Sequence, residues 1–201
     1  MNIAVIGCGK MGTALIHGWI AAGITSASHI RVLTASPASA QALHDHYGVV
    51  PATDINDATA GADFIVLAVK PFVMPSVLPN VADAIPANVT IISVAAGIPI
   101  STYEAAFGSE TPIVRAMPNT PAGIQKGATG IAFNAAVPVE QRETIVELFN
   151  GVGITEVVPE SQMDAVNGLS GSGPGFAFTL IEAMIDGGVL AGLPRPVARR
   201  L

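Results

Sequence analysis

"VIGCGKMG", residues 5–12, places glycine at 7, 9 and 12 behind a short apolar run and ahead of a helix-like stretch. This G-x-G-x-x-G spacing suits the holding of a pyrophosphate. Gly7 permits a tight turn, Gly9 lets backbone approach the phosphates, and Gly12 lets helix and strand pack closely. The helix that follows presents N–H donors and the positive end of its dipole to an anion. A dinucleotide cofactor is expected on these grounds. Cys8, inside the turn, reads as a small filler.

The next stretch bears on which dinucleotide. A site for NAD places Asp or Glu at the end of the second strand, where it holds the ribose 2′-hydroxyl. Here that region reads "VLTASPASAQALHD", and its first acid, Asp45, lies well inside the following helix. Thr34 and Ser36 bring hydroxyls instead, and Ser36-Pro37 opens a helix where a 2′-phosphate would sit. NADP, as NADPH, is the expected cofactor, with NAD possible. Three further strand ends carry candidate residues: Lys70 in "FIVLAVKPF", Ala95 and Ala96 in "SVAAG", and Asn119 and Thr120 in "RAMPNTPAGI". Ligands of open α/β sheets bind at this edge. The alanines leave room for a cofactor, and the proline-stiffened loop suits positioning of substrate or nicotinamide. A solvated lysine and a structural turn are the plainer readings of Lys70 and the 115–124 loop.

The elements that would position these residues alternate in type, as in an α/β domain with a largely parallel sheet. Strands are expected at 2–7, 29–34, 48–51, 62–69, 89–95, 112–117, 129–134 and 154–159. Helices are expected near 10–22, 37–46, 73–84, 100–107 and 139–150. Strand signals stop near Ser161. "SQMDAVNGL" reads as a short helix, "GLSGSGPGF" as a glycine-rich turn with Ser172 as cap and Pro174 in the first turn. The stretch that follows reads as a long helix, apolar nearly all round and so expected to be buried. A third helix begins at Pro194 and the sequence stops at Leu201, which suggests a chain cut partway through a helical second domain.

Composition excludes several classes. Of the 201 residues, half are hydrophobic and only 12% charged, so a folded core is expected rather than disorder. Mean hydropathy is +0.55, yet no apolar run reaches the roughly 18–20 residues needed to span a bilayer. A net charge of −6 argues against nucleic acid. A lone cysteine and the absence of a basic signal sequence point to the cytoplasm. His17, His29, His44 and His46 belong to no metal or catalytic motif, so catalysis would rest on the cofactor.

Taken in order and spacing, "GCGKMG", "AVKP", "SVAAG", "RAMPNTPA" and "LSGSGPGFAF" resemble pyrroline-5-carboxylate reductase across essentially the whole chain. The resemblance implies a Rossmann-type, doubly wound, largely parallel sheet over 1–160. The start of an all-helical dimerisation domain would follow over 161–201, giving a homodimer or a higher homo-oligomer. It implies reduction of 1-pyrroline-5-carboxylate to L-proline by hydride transfer from NAD(P)H. Cofactor contacts would fall on Gly7, Gly9, Lys10, Met11, Ser36, Asn56, Val69, Lys70, Ala95 and Ala96. Glu160 falls where the family has a substrate-side acid, though it also reads as a solvated loop carboxylate. The family usually has "GPAY" where this chain has "GPGF", so Phe176 cannot donate a proton. The family's later Ser-Pro-Gly-Gly-Thr-like turn is absent. The rival readings are an NADP-binding protein without catalysis and a β-hydroxyacid-type dehydrogenase. The second needs a late catalytic lysine, and no lysine follows Lys126.

Overall fold

The computed structural model describes residues 1–201 and realises all eight expected strands. They are β1 (Ile3–Ile6), β2 (Ile30–Leu33), β3 (Val50–Pro51), β4 (Phe64–Leu67), β5 (Thr90–Ser93), β6 (Ile113–Met117), β7 (Gly127–Phe133) and β8 (Gly153–Val157). They form one sheet in the order β3-β2-β1-β4-β5-β6-β7-β8. Every adjacent pair is parallel except β6–β7. The reversal follows from connection length. A parallel return needs a crossover of a dozen or more residues, and between Met117 and Gly127 there is room only for a 3-10 turn, Thr120–Ile124.

Helices α1 (Lys10–Ala21), α2 (Pro37–Tyr47), α3 (Ile55–Thr59), α4 (Met74–Ala82), α5 (Ile100–Phe107) and α6 (Val139–Asn150) cover the sheet. Strands β1, β4 and β5 are buried on both faces, which is why they read as unbroken apolar runs. Two cores result. One packs Leu15, Ile16, Trp19 and Phe149 against one face, with Trp19 Nε1 donating to the Leu148 carbonyl at 2.8 Å. The other packs Met74, Leu78, Tyr103 and Met163 against the opposite face. Helix α3 was not expected. It is only five residues long, too short to show a period, and the Asp54 side chain caps it by accepting from Asp57 N–H.

Beyond β8 the chain is helical: α7 (Met163–Val166), a π-turn over Asn167–Gly171, α8 (Gly173–Leu190) and α9 (Arg195–Arg200). Two expectations are corrected here. "GLSGSGPGF" is not a turn capped by Ser172. That residue joins the π-turn to α8 with right-handed helical backbone angles and makes no side-chain cap. Helix α8 is not buried either: Ile185 alone is, while Phe176, Phe178, Leu180 and Met184 are each at least 60% exposed. Within the chain α8 packs mainly against the π-turn and α9, and most of its large apolar side chains face outward. No helix of the structure is long and apolar enough to cross a membrane.

Candidate active site

The strand order reverses direction at β1 and β4, and a cleft opens there beyond their carboxyl ends, as such a switch point requires. Its volume is about 710 Å³. The turn after β1 forms one wall. Gly7 has φ +88°, and a Cβ added there would lie 2.7 Å from Val69 N, so only glycine fits. Gly9 sits at the start of α1 with ordinary φ −71°, and nothing lies within 4 Å of where its Cβ would be. No side chain caps α1 and no acid occupies its first turn, which leaves the helix N-terminus open to an anion.

Nine of the expected cofactor residues line this cleft: Gly7, Gly9, Lys10, Met11, Thr34, Val69, Lys70, Ala95 and Ala96. The other three lie behind or beside it. Gly12 is buried where α1 crosses the β1 turn, and an added Cβ would meet the Gly7 carbonyl at 2.5 Å. Ser36 caps α2, accepting from Ser39 N–H at 3.3 Å, and its hydroxyl meets that of Ser39 at 2.9 Å. Asn56 is exposed, with its neighbour Ile55 lining the cleft instead. Ala35 and Ser39 were missed from sequence. Their signal was available, since Ala35 lies just past β2 and Ser39 stands three residues past the cap. Thr34 Oγ1 donates to the Ser36 carbonyl at 2.7 Å, fixing this corner.

The cleft carries no carboxylate and no histidine. Its ionisable groups are Lys10, Lys70 and Cys8, so it is cationic in a chain of net charge −6. Burial pushes the Cys8 thiol up to about 12. At pH 8 iodoacetamide should therefore label Cys8 on the order of 1000-fold more slowly than a free cysteine, because the thiolate is the reactive form. Mass-spectrometric timing of alkylation checks this.

The residues expected to act on substrate lie at the end of β6 and beyond. Asn119 is buried, its Nδ2 donating to the Ser170 carbonyl at 2.9 Å and its Oδ1 accepting from Ala128 N–H at 2.9 Å. Thr120 is exposed at the start of the 3-10 turn that packs on α1. Glu160 lies outside the cleft, and its Oε1 accepts from Ile100 N–H at 2.6 Å. It thereby satisfies an N-terminal donor of α5 that Pro99 cannot cap. The same oxygen lies 3.4 Å from Arg115, whose other nitrogen meets Asp164 at 3.2 Å. Arg115 was missed, yet a charge inside the apolar strand "PIVRAM" is the sign of a buried partner. Behind it Tyr103 shares a hydrogen bond with Ser93, and burial holds the phenol above its ordinary range.

This network ties α5, β6 and the helix after β8 together. Arg115→Met should lower stability by about 2–3 kcal/mol and Glu160→Gln by about 1–2 kcal/mol, since the remaining partners are partly solvated. Urea unfolding measures both. A Glu160→Gln variant that unfolds like the parent but loses turnover would instead place Glu160 at the substrate.

No group of three or more His, Cys, Asp or Glu side chains is gathered as a metal would need. The glycine turn, the open helix end and the switch-point cleft define a dinucleotide-binding α/β protein. The family model described as NADP oxidoreductase coenzyme F420-dependent matches residues 2–97, and pyrroline-5-carboxylate reductase dimerisation matches 160–201. The pyrroline-5-carboxylate reductase of Methanosarcina acetivorans is 43% identical over 200 residues, which is 100% of this chain and 74% of that protein. That of Escherichia coli K12 is 39% identical over 98% of this chain and 73% of its own. Among solved structures, the Plasmodium falciparum pyrroline carboxylate reductase with NADP bound superposes with TM-score 0.90 at 30% identity, over 100% of this chain and 73% of that one. The chain belongs to the pyrroline-5-carboxylate reductase family.

Proposed function

We propose that the cleft holds NADPH and that the protein reduces 1-pyrroline-5-carboxylate to L-proline. One observation carries the reading: an acid-free, twice-cationic cleft at the switch point, in a chain of this family. The residues present fit the cofactor. The open space at Gly9 and the uncapped α1 would receive the pyrophosphate, with Lys10 beside it. Thr34, Ala35, Ser36 and Ser39 surround the place of the 2′-phosphate, where no acid opposes it; NADH is the weaker donor on this reading. Ala95 and Ala96, with Val69 and Lys70, would line the nicotinamide half. When bound, the cofactor supplies the hydride.

The chain's own task is then to exclude water and hold the C=N carbon in attack geometry. A cyclic imine is basic enough to be partly protonated near neutral pH, so no tuned general acid is required. That suits a cleft whose only ionisable groups are two lysines and a half-buried thiol. We divide the chain into a nucleotide-binding part, 1–160, and a helical part, 161–201. The exposed apolar side chains of α8 support association of copies through that part, as a homodimer or higher. A lone thiol supports a cytoplasmic location. The test is imine-dependent NADPH oxidation by the full-length protein. Turnover with NADPH exceeding that with NADH is expected, and cofactor binding without turnover would overturn the reading.

A further inference from the structure

The two most distinctive stretches of the sequence, "RAMPNTPA" and "SGSGP", are joined by one hydrogen bond, and Pro174 accounts for it. Ser170 lies in the π-turn, where an i→i+5 bond would draw on Gly175 N–H, but that group donates to the Ser172 carbonyl at 2.9 Å. The α-helical alternative would draw on the N–H of residue 174. Residue 174 is proline and has no N–H. The helix therefore offers Ser170 no donor at that position, and Asn119 Nδ2 provides one from outside at 2.9 Å. The amide cannot be turned over, because Oδ1 must face Ala128 N–H. The Ser170 hydroxyl is engaged too, donating to the Val166 carbonyl at 3.1 Å.

The surrounding fit is close. A Cβ at Gly171 would lie 2.9 Å from Met117 Cε, and one at Gly130 would lie 2.6 Å from Val166. Gly168, Gly173 and Gly175 by contrast have nothing within 4 Å. The loop carrying Asn119 is backed by α1, where His17 Nδ1 meets the Gly123 carbonyl at 3.2 Å. A continuous line thus runs from the phosphate helix through Asn119 to the π-turn that starts α8.

We infer that Asn119 is a positioning residue: it clamps the π-turn and the head of α8 to the end of β6, and Pro174 makes that clamp necessary. It does so through the Ser170 carbonyl. The inference rests on the reductase reading for its kinetic part only.

A double-mutant cycle tests it. In Pro174→Ala the helix regains an N–H at 174, so Asn119 becomes partly redundant. Asn119→Ala should raise the urea-unfolding constant about 10-fold in the parent and no more than about 3-fold in the Pro174→Ala background. Loss of the Ala128 bond is common to both arms and cancels. In the parent, kcat for imine reduction should fall at least about 10-fold with the Kd for NADPH held within about twofold. Asn119→Asp, which keeps the acceptor for Ala128, should lose kcat alike. Additive unfolding effects, or an NADPH Kd that weakens as much as kcat falls, would overturn the inference. A parent protein without turnover would overturn the reductase reading instead, leaving the unfolding cycle to decide the clamp.

Discussion

Gly9→Ala should fold like the parent and bind NADPH on the order of 100-fold more weakly, a loss of about 2.7 kcal/mol. The residue has an ordinary φ of −71°, and an added Cβ meets no protein atom within 4 Å. Alanine therefore costs the fold little. The same methyl group would project from the start of α1 into the space where backbone must approach the pyrophosphate. Gly7→Ala makes the contrast. There φ is +88° and the added Cβ falls 2.5 Å from Val69 Cγ1, so strain and clash together should destabilise by about 3 kcal/mol or more. Thermal melting and NADPH titration on both variants check this. If Gly9→Ala kept its affinity, the turn after β1 would not be a phosphate site.

The second large effect concerns the 2′-phosphate. Ala35→Asp should weaken NADPH by roughly 100-fold and leave NADH binding unchanged or stronger. Ala35 lines the cleft directly past β2, where an NAD site carries its acid. A carboxylate about 5 Å from a doubly charged phosphate, at an effective dielectric near 50, is repelled by about 2.7 kcal/mol. The same carboxylate can accept from a free 2′-hydroxyl, so preference should reverse rather than affinity simply fall. Titrations with both cofactors at low salt measure it, since screening would shrink the effect. Equal loss for the two cofactors would place the 2′ position elsewhere.

The strands and the helices that cover the sheet were legible because their signals are local. Buried parallel strands read as apolar runs such as "FIVLAV", and Ser36-Pro37 and Gly7 mark boundaries by their own chemistry. What was missed depends on partners far along the chain. The glycines before Pro174 read as a capped turn, yet they form a π-turn leading into α8, and the Ser170 carbonyl of that turn accepts from Asn119, more than 50 residues earlier. Glu160 reads as a substrate-side acid or a solvated loop carboxylate, and what the sequence does not show is that its oxygen lies against the N-terminus of α5 and Arg115. Only the folded chain brings those three together. The cleft was better legible than the substrate side, since a phosphate turn is one continuous motif and the β6 junction is assembled from four segments.

Hydride transfer from NADPH to the imine is read most directly by isotope. NADPH deuterated at the transferring C4 position is incubated with the full-length protein and 1-pyrroline-5-carboxylate, and the product is read by mass spectrometry and proton NMR. L-Proline carrying one deuterium at C5, in equal amount to the NADPH consumed, is expected. Proline without the label, or cofactor bound while the imine persists unreduced, would contradict it.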